Sequence, residues 1–200
     1  MSDREQIMNR VRRATASRPR TEYPQWESEI VHSRASRDCG DHIELFCQKF
    51  DAAGGKMVKD IAALADVLKD AASKKGYVDP TLLPLLRDAL AGFEIDTVFH
   101  RAKVDEYAFG ITRATAGIAE SGSLLLTGVD TSSRLGALAP WIHIAVLERR
   151  KIVPTIPDAI ALFGVERSAL FVTGPSKTAD VEGILIKGVH GPGVQVCCLI

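Results

Sequence analysis

Ile43, Phe46, Cys47 and Phe50 recur at i, i+3, i+4 and i+7, the spacing of one helix face, and Gly54-Gly55 ends the segment. Asp60 can cap a second helix with the stripe Ile61, Leu64, Ala65, Leu68 and Ala72, closed by Gly76. Lys56 to Val58, between the two, is a short strand. Leu82 to Ala91 makes a third helix with Pro84 in its first turn. The pattern then changes. Ile118-Ala119 and Ser123 to Leu126 read as strand pieces joined at Glu120-Ser121-Gly122. Thr131 or Ser132 opens a short helix that stops before Pro140. Trp141 to Leu147, which contains His143, is a strand. Thr155 to Phe163 is a helix with Pro157 in its first turn and Gly164 past its end. Ala169 to Val172 is a buried strand, and Val194 to Leu199 is the last one. Helices alternating with strands predict an α/β layered sheet with helices on both faces.

Composition divides the chain. Residues 1–109 hold 35 of the 50 charged residues and 5 of the 16 glycines, so surface helices belong to the first half and tight turns to the second. Residues 1–20 carry six arginines, Arg4, Arg10, Arg12, Arg13, Arg18 and Arg20, over the thin apolar stripe Ile7, Val11 and Ala14. They read as a solvated helical arm or as a basic patch for an acidic partner. Residues 19–37 read as a linker anchored by Trp26. The expected organisation is a basic helix and linker over 1–37 and a single α/β domain over 38–200. Zero net charge removes the basic excess of a dedicated nucleic-acid binder. Four cysteines without a C-x-x-C and five scattered histidines give no metal-ligand spacing, so no metal is expected on this chain. The charged start lacks the apolar stretch of a signal peptide, and the nearly apolar run 137–147 is too short to span a bilayer. These features predict a cytoplasmic protein.

Three segments carry candidate chemistry. In Gly117 to Ser123, a carboxylate follows an apolar strand and precedes a glycine hinge; Glu120 can serve as base, nucleophile or hydrogen-bond partner, or can pair with Arg113 or Arg134 to hold the turn. In Val172 to Asp180, a strand meets a Gly-Pro turn followed by hydroxyls that can start a helix. Thr173, Gly174, Ser176, Lys177, Thr178 and Asp180 are the candidate ligand contacts there, unless Ser176 or Thr178 is an ordinary N-cap. In Gly188 to Gly193, His190 sits in a glycine-lined loop, reachable by a ligand or fastened by one hydrogen bond. His143 reads as a core histidine. Cys197 and Cys198 alternate on the terminal strand, so one of them should face the core.

The blocks GITRATAGIAESGSLLLTG, HIAVLERRKIVPTIPDAI and FVTGPSKTADVEGILIKGVHGPGVQV resemble the lactate utilisation protein C family, also known as the LUD domain, over residues 110–196. The resemblance implies a fold like that of the glucosamine-phosphate isomerase, ribose-phosphate isomerase and CoA-transferase superfamily. It also implies a part in oxidising L-lactate to pyruvate with iron–sulfur partner proteins, the clusters residing on those partners and no cofactor on this chain. It places Glu120, Thr173 to Asp180 and His190 in the family's recurring blocks; the residues themselves, not the resemblance, make Glu120 and His190 the candidate catalytic groups beside a small anionic ligand. It lends no residue roles, and Cys197-Cys198 departs from the aliphatics expected there. The other readings are a free-standing enzyme acting on a CoA thioester or sugar phosphate, and a regulatory module that binds a carboxylate or phosphate.

Overall fold

The computed structural model describes residues 2–16, 40–128, 130–163, 168–179 and 184–200. The linker with Trp26, together with His32, Cys39, Gly164 and Asp180, lies outside them. Contacts divide the chain into two units, Met1–Val31 and His32–Ile200. In the first unit, α1 (Asp3–Thr15) opens with a reciprocal cap: Glu5 N–H donates to Ser2 Oγ and Ser2 N–H donates to Glu5 Oε2 at 2.8 Å.

The second unit is built on six parallel strands. Their spatial order is β1 (Lys56–Val58), β12 (Val194–Leu199), β7 (Ile142–Leu147), β4 (Phe109–Arg113), β2 (Lys75–Val78) and β3 (Glu94–Asp96). A parallel sheet covered on both faces needs apolar residues on both, which is why β7 and β12 read as near-continuous apolar runs. One face packs Ile142, Ile144, Val146, Val196 and Cys198 against Leu64, Leu68, Leu82 and Leu86. The other packs Ala145, Leu147, Cys197 and Leu199 against Phe46 and Phe50 of α2 (His42–Ala52). Cys197 and Cys198 therefore point to opposite faces and both are fully buried, where the alternation predicted one in the core.

A second sheet extends from the carboxyl ends of β4 and β7. Its order is β8 (Ile152–Val153), β5 (Ala116–Ile118), β6 (Ser123–Thr127) and β9 (Ala169–Val172). Past Arg113 the chain leaves β4 and enters β5; past Leu147 it leaves β7 and, through a tight turn, enters β8. A separate ribbon pairs β10 (Lys177–Ala179) with β11 (Leu185–Lys187).

Several expectations need correction. The second helix shortens to α3 (Leu64–Lys69), although Asp60 Oδ1 does accept the Ala63 N–H at 2.9 Å. Gly76 belongs to β2, where a Cβ would stand 2.1 Å from the Phe109 ring. The third helix shrinks to α4 (Leu83–Leu86). The short helix after β6 is α5 (Arg134–Leu138), capped one residue later than expected, by Ser133. The helix after Thr155 is α6 (Ile156–Ala161), with Thr155 and Asp158 forming a reciprocal cap. The expected buried strand β9 is a sheet edge, half-buried, with Phe171 exposed.

Candidate functional site

Two of the three glycine-bearing segments meet directly, and the third joins them through hydroxyls. The β5–β6 turn holds Glu120, Ser121 and Gly122. Gly122, at φ +64°, brings the turn against α2; a Cβ there would be 2.3 Å from Phe50 N. Ser121 Oγ donates to Ser123 Oγ at 2.8 Å, and Ser123 Oγ bonds Thr173 Oγ1 at 2.6 Å. Gly174, at φ +71°, turns the chain tightly past Ala53. Ser176 then fastens the β11–β12 loop. Its N–H donates to Pro192 O at 2.9 Å, its carbonyl accepts the Gly188 N–H at 3.0 Å, and its Oγ accepts the His190 N–H at 3.3 Å.

The side chains at these positions have individual duties. Glu120 Oε1 accepts the Ile156 N–H at 2.6 Å, so the carboxylate serves the first turn of α6 rather than Arg113 or Arg134. Lys177 Nζ donates to Ala53 O at 2.6 Å and holds the end of α2. No helix starts at Ser176 or Thr178: residues 177–179 form β10, paired with β11, so the turn has no converging helical N–H groups. The His190 ring is exposed and makes no hydrogen bond to another described residue. Ser176 and His190 lie beside the amino ends of β7 and β12, because Pro192 leads directly into β12 and the Val194 N–H donates to Trp141 O. Trp141 fixes this loop: a Cβ at Gly188 or Gly193 would come within 2.1 or 2.3 Å of its indole.

The carboxyl edge of the sheet, where parallel α/β sheets usually hold ligands, carries charged groups that sequence reasoning did not single out. Asp79 follows β2 and is 1% exposed. Its Oδ1 accepts from Thr81 N–H at 2.9 Å and Thr81 Oγ at 2.6 Å, and its Oδ2 accepts from Ser132 N–H at 3.2 Å. Burial pushes its carboxyl up, but the bonds from Ser132 and Thr81 outweigh burial and hold it below the usual carboxylate range. Tyr77 Oη and Ser132 Oγ complete the group. One strand over, Arg113 Nη1 donates to Glu148 Oε1 at 3.2 Å, and Thr131 Oγ1 donates to Arg113 O at 2.8 Å. Glu148 also meets Arg150 at 2.5 Å and Lys151 at 3.8 Å, and Lys151 meets Asp130 at 3.6 Å. The signal was present in the sequence: Arg113 closes the run Phe109 to Thr112, and Glu148-Arg149-Arg150-Lys151 follows six apolar-strand residues. Both lie outside the segments 117–123, 172–180 and 188–193.

Inside the sheet, His143 is fully buried with its ring bonded on both sides. Gln195 Nε2 donates to Val196 O, so Gln195 Oε1 is the acceptor for His143 Nδ1–H at 2.9 Å. Nε2 then accepts the Thr112 hydroxyl at 2.9 Å. Burial lowers the imidazole to about 4 and keeps it neutral. Burial likewise raises the Cys198 thiol to about 11 and the Cys197 thiol further, so neither is a thiolate nucleophile near neutral pH. Among the described residues, no three His, Cys, Asp or Glu side chains are grouped to hold a metal ion. No described helix is long and apolar enough to cross a membrane.

A family model described as the LUD domain matches residues 31–200, most of the chain and all of the two-sheet unit's described elements. The chain belongs to the LUD domain family. Among the curated relatives of this LUD domain, "Lactate utilization protein C" of Oceanobacillus iheyensis is 34% identical over 113 residues, which cover 52% of this chain and 46% of that protein. The protein of the same name from Geobacillus kaustophilus is 27% identical over 94% of this chain and 90% of its own length. The match to the Oceanobacillus iheyensis protein thus spans about half of that relative's length. A crystal structure of a DUF162 family protein from Deinococcus radiodurans superposes with a TM-score of 0.58 at 19% identity, over 84% of this chain and 99% of the other. That likeness shows the same α/β layered fold.

Proposed function

We propose that this LUD domain is a subunit of an L-lactate utilisation system that oxidises L-lactate to pyruvate with iron–sulfur partner proteins. The observation that carries the reading is membership of the LUD family, whose curated relatives above bear the name lactate utilization protein C. Oxidising lactate removes two electrons and two protons. In this reading the electrons pass to iron–sulfur clusters on the partner proteins. This chain's share is to hold the small anion and handle protons.

The neighbourhood joined through Ser123, Thr173 and Ser176 is the proposed place for that work. His190 supplies an exposed imidazole whose ring nitrogens can give or take a proton. Glu120, anchored on Ile156 N–H, keeps a second carboxylate oxygen for a substrate hydroxyl. The hydroxyls of Thr173, Ser176 and Thr178 and the turn at Gly174 line the approach. Lys177 is bonded to Ala53 O and would need to leave it to meet a ligand.

Co-purification from the native host, followed by a lactate-dependent electron-acceptor assay with and without this chain, tests the reading. Activity that requires the chain and falls at least about tenfold in His190→Ala and Glu120→Gln, within the usual range for loss of a proton-transfer group, supports it. Full activity without the chain refutes it.

A further inference from the structure

The Arg113 side chain is three-quarters buried, with 25% exposed, and makes a single hydrogen bond among the described residues, through Nη1 to Glu148. A guanidinium has five N–H donors in a planar fork. Among the described residues none of its other nitrogens is both buried and unpartnered, so the unused donors face solvent and are open to an incoming acceptor. Its neighbours have the same surplus. One carboxylate, Glu148, faces Arg113, Arg150 and Lys151, and only Lys151 has a second partner, Asp130. Three cations against two carboxylates leave one positive charge over, before Arg149 is counted. Beside Glu148 opens a surface cavity of about 400 Å³ lined by Glu148, Arg149, Arg150 and Ile200. These groups stand where β4 and β7, adjacent central strands, end and the chain crosses to the second sheet.

We infer that Arg113, Arg149, Arg150 and Lys151 form an oxyanion-binding site in which Glu148 is the resident counter-ion. The ligand is a small organic oxyanion, a carboxylate or a phosphate. It enters from the cavity, pairs with the donors that Glu148 leaves unused, and competes with Glu148 for the guanidinium of Arg113. A carboxylate or phosphate matches the planar fork bidentately, and a lysine at position 113 would not reproduce that geometry. The site lies at the carboxyl edge, whereas Ser176 and His190 lie beside the amino ends of β7 and β12. It therefore stands whether or not the chain serves lactate oxidation.

The experiment is titration of the full chain at low ionic strength with inorganic phosphate and, separately, with pyruvate, followed by backbone amide shifts and calorimetry. Saturable binding of either probe is expected, with shifts centred on Arg113 and Glu148 to Lys151 and separable from any at Ser176 and His190; the tighter probe at the Arg113 group identifies the chemistry of the anion. Arg113→Lys should weaken binding about tenfold or more, the equivalent of one charge-assisted hydrogen bond. Glu148→Gln, which removes the competitor, should tighten it, and His190→Ala should leave it unchanged. Absence of saturable binding, equal affinity in Arg113→Lys and Glu148→Gln, or loss of binding in His190→Ala would overturn the inference. Should Arg113→Lys fail to fold, the direction of the Glu148→Gln effect decides alone: tightening supports the site and any other result refutes it.

Discussion

Acidification should weaken this fold through one imidazole. In the folded chain His143 stays neutral down to about pH 4, because burial excludes the charged form and Nε2 is occupied by the Thr112 hydroxyl. In the unfolded chain it takes up a proton near 6.5. Below that pH the unfolded state binds the extra proton, so the contribution to stability is complete above about 6.5 and declines as the pH falls toward 4. At 1.36 kcal/mol per pH unit, the interval from 7.5 to 4.5 removes roughly 2–3 kcal/mol. Carboxylates titrate in the same range, so the difference between two proteins is the useful quantity. Urea unfolding of the native chain and of His143→Leu at pH 7.5, 6.5, 5.5 and 4.5 gives it directly. Leucine leaves Thr112 and Gln195 unpaired, and His143→Leu should be the less stable protein at pH 7.5. The gap should then close by roughly 2–3 kcal/mol at pH 4.5. A gap that stays constant within about 0.5 kcal/mol, an ordinary error for such measurements, would show that the ring is solvated or already charged and would refute the reasoning.

Gly110→Ala places a Cβ 1.8 Å from Gly136 O and must drive α5 off the sheet; a loss of about 3 kcal/mol or more is expected in chemical denaturation. Gly193→Ala puts a methyl 2.3 Å from the Trp141 ring, and tryptophan fluorescence should shift while stability falls by about 1–2 kcal/mol. Asp79→Asn turns an amide donor toward Thr81 or Ser132, both donors, and should cost about 2 kcal/mol in urea unfolding at pH 7. That cost should shrink as the pH falls below the ordinary carboxylate range, where the native Asp79 is itself protonated.

The sequence disclosed elements wherever one periodicity governed a stretch long enough to show it. Phe46 and Phe50 mark α2, and the runs at 142–147 and 194–199 mark β7 and β12. It concealed strands of three to five residues: Lys75–Val78 contains Gly76, and Glu94–Asp96 is two-thirds acidic, so neither has a strand pattern. What makes them strands is their neighbours, Phe109 lying over Gly76 and β2 accepting β3 at the sheet edge. The same held at the candidate sites. Ser176 and His190 were legible as polar interruptions in apolar runs, and the backbone does bring them together. Arg113 and Glu148 are 35 residues apart, and their pairing follows from the adjacency of β4 and β7, which no local window contains. The helix expected after Ser176 failed for a similar reason, since pairing of 177–179 with 185–187 overrode a plausible N-cap.

The position of β12 governs how fast this molecule can fold. It lies between β1 and β7, and Lys56 is registered with Val196. Neither neighbour can complete its ladder until the two ends of a long loop have met, so the sheet closes only after a large entropic cost has been met. Local helices such as α2 form early but cannot nucleate that closure alone. Refolding should be slow for a chain of this length. Until β12 inserts, the open edges of β1 and β7 are the parts of the molecule most exposed to pairing with a neighbouring chain.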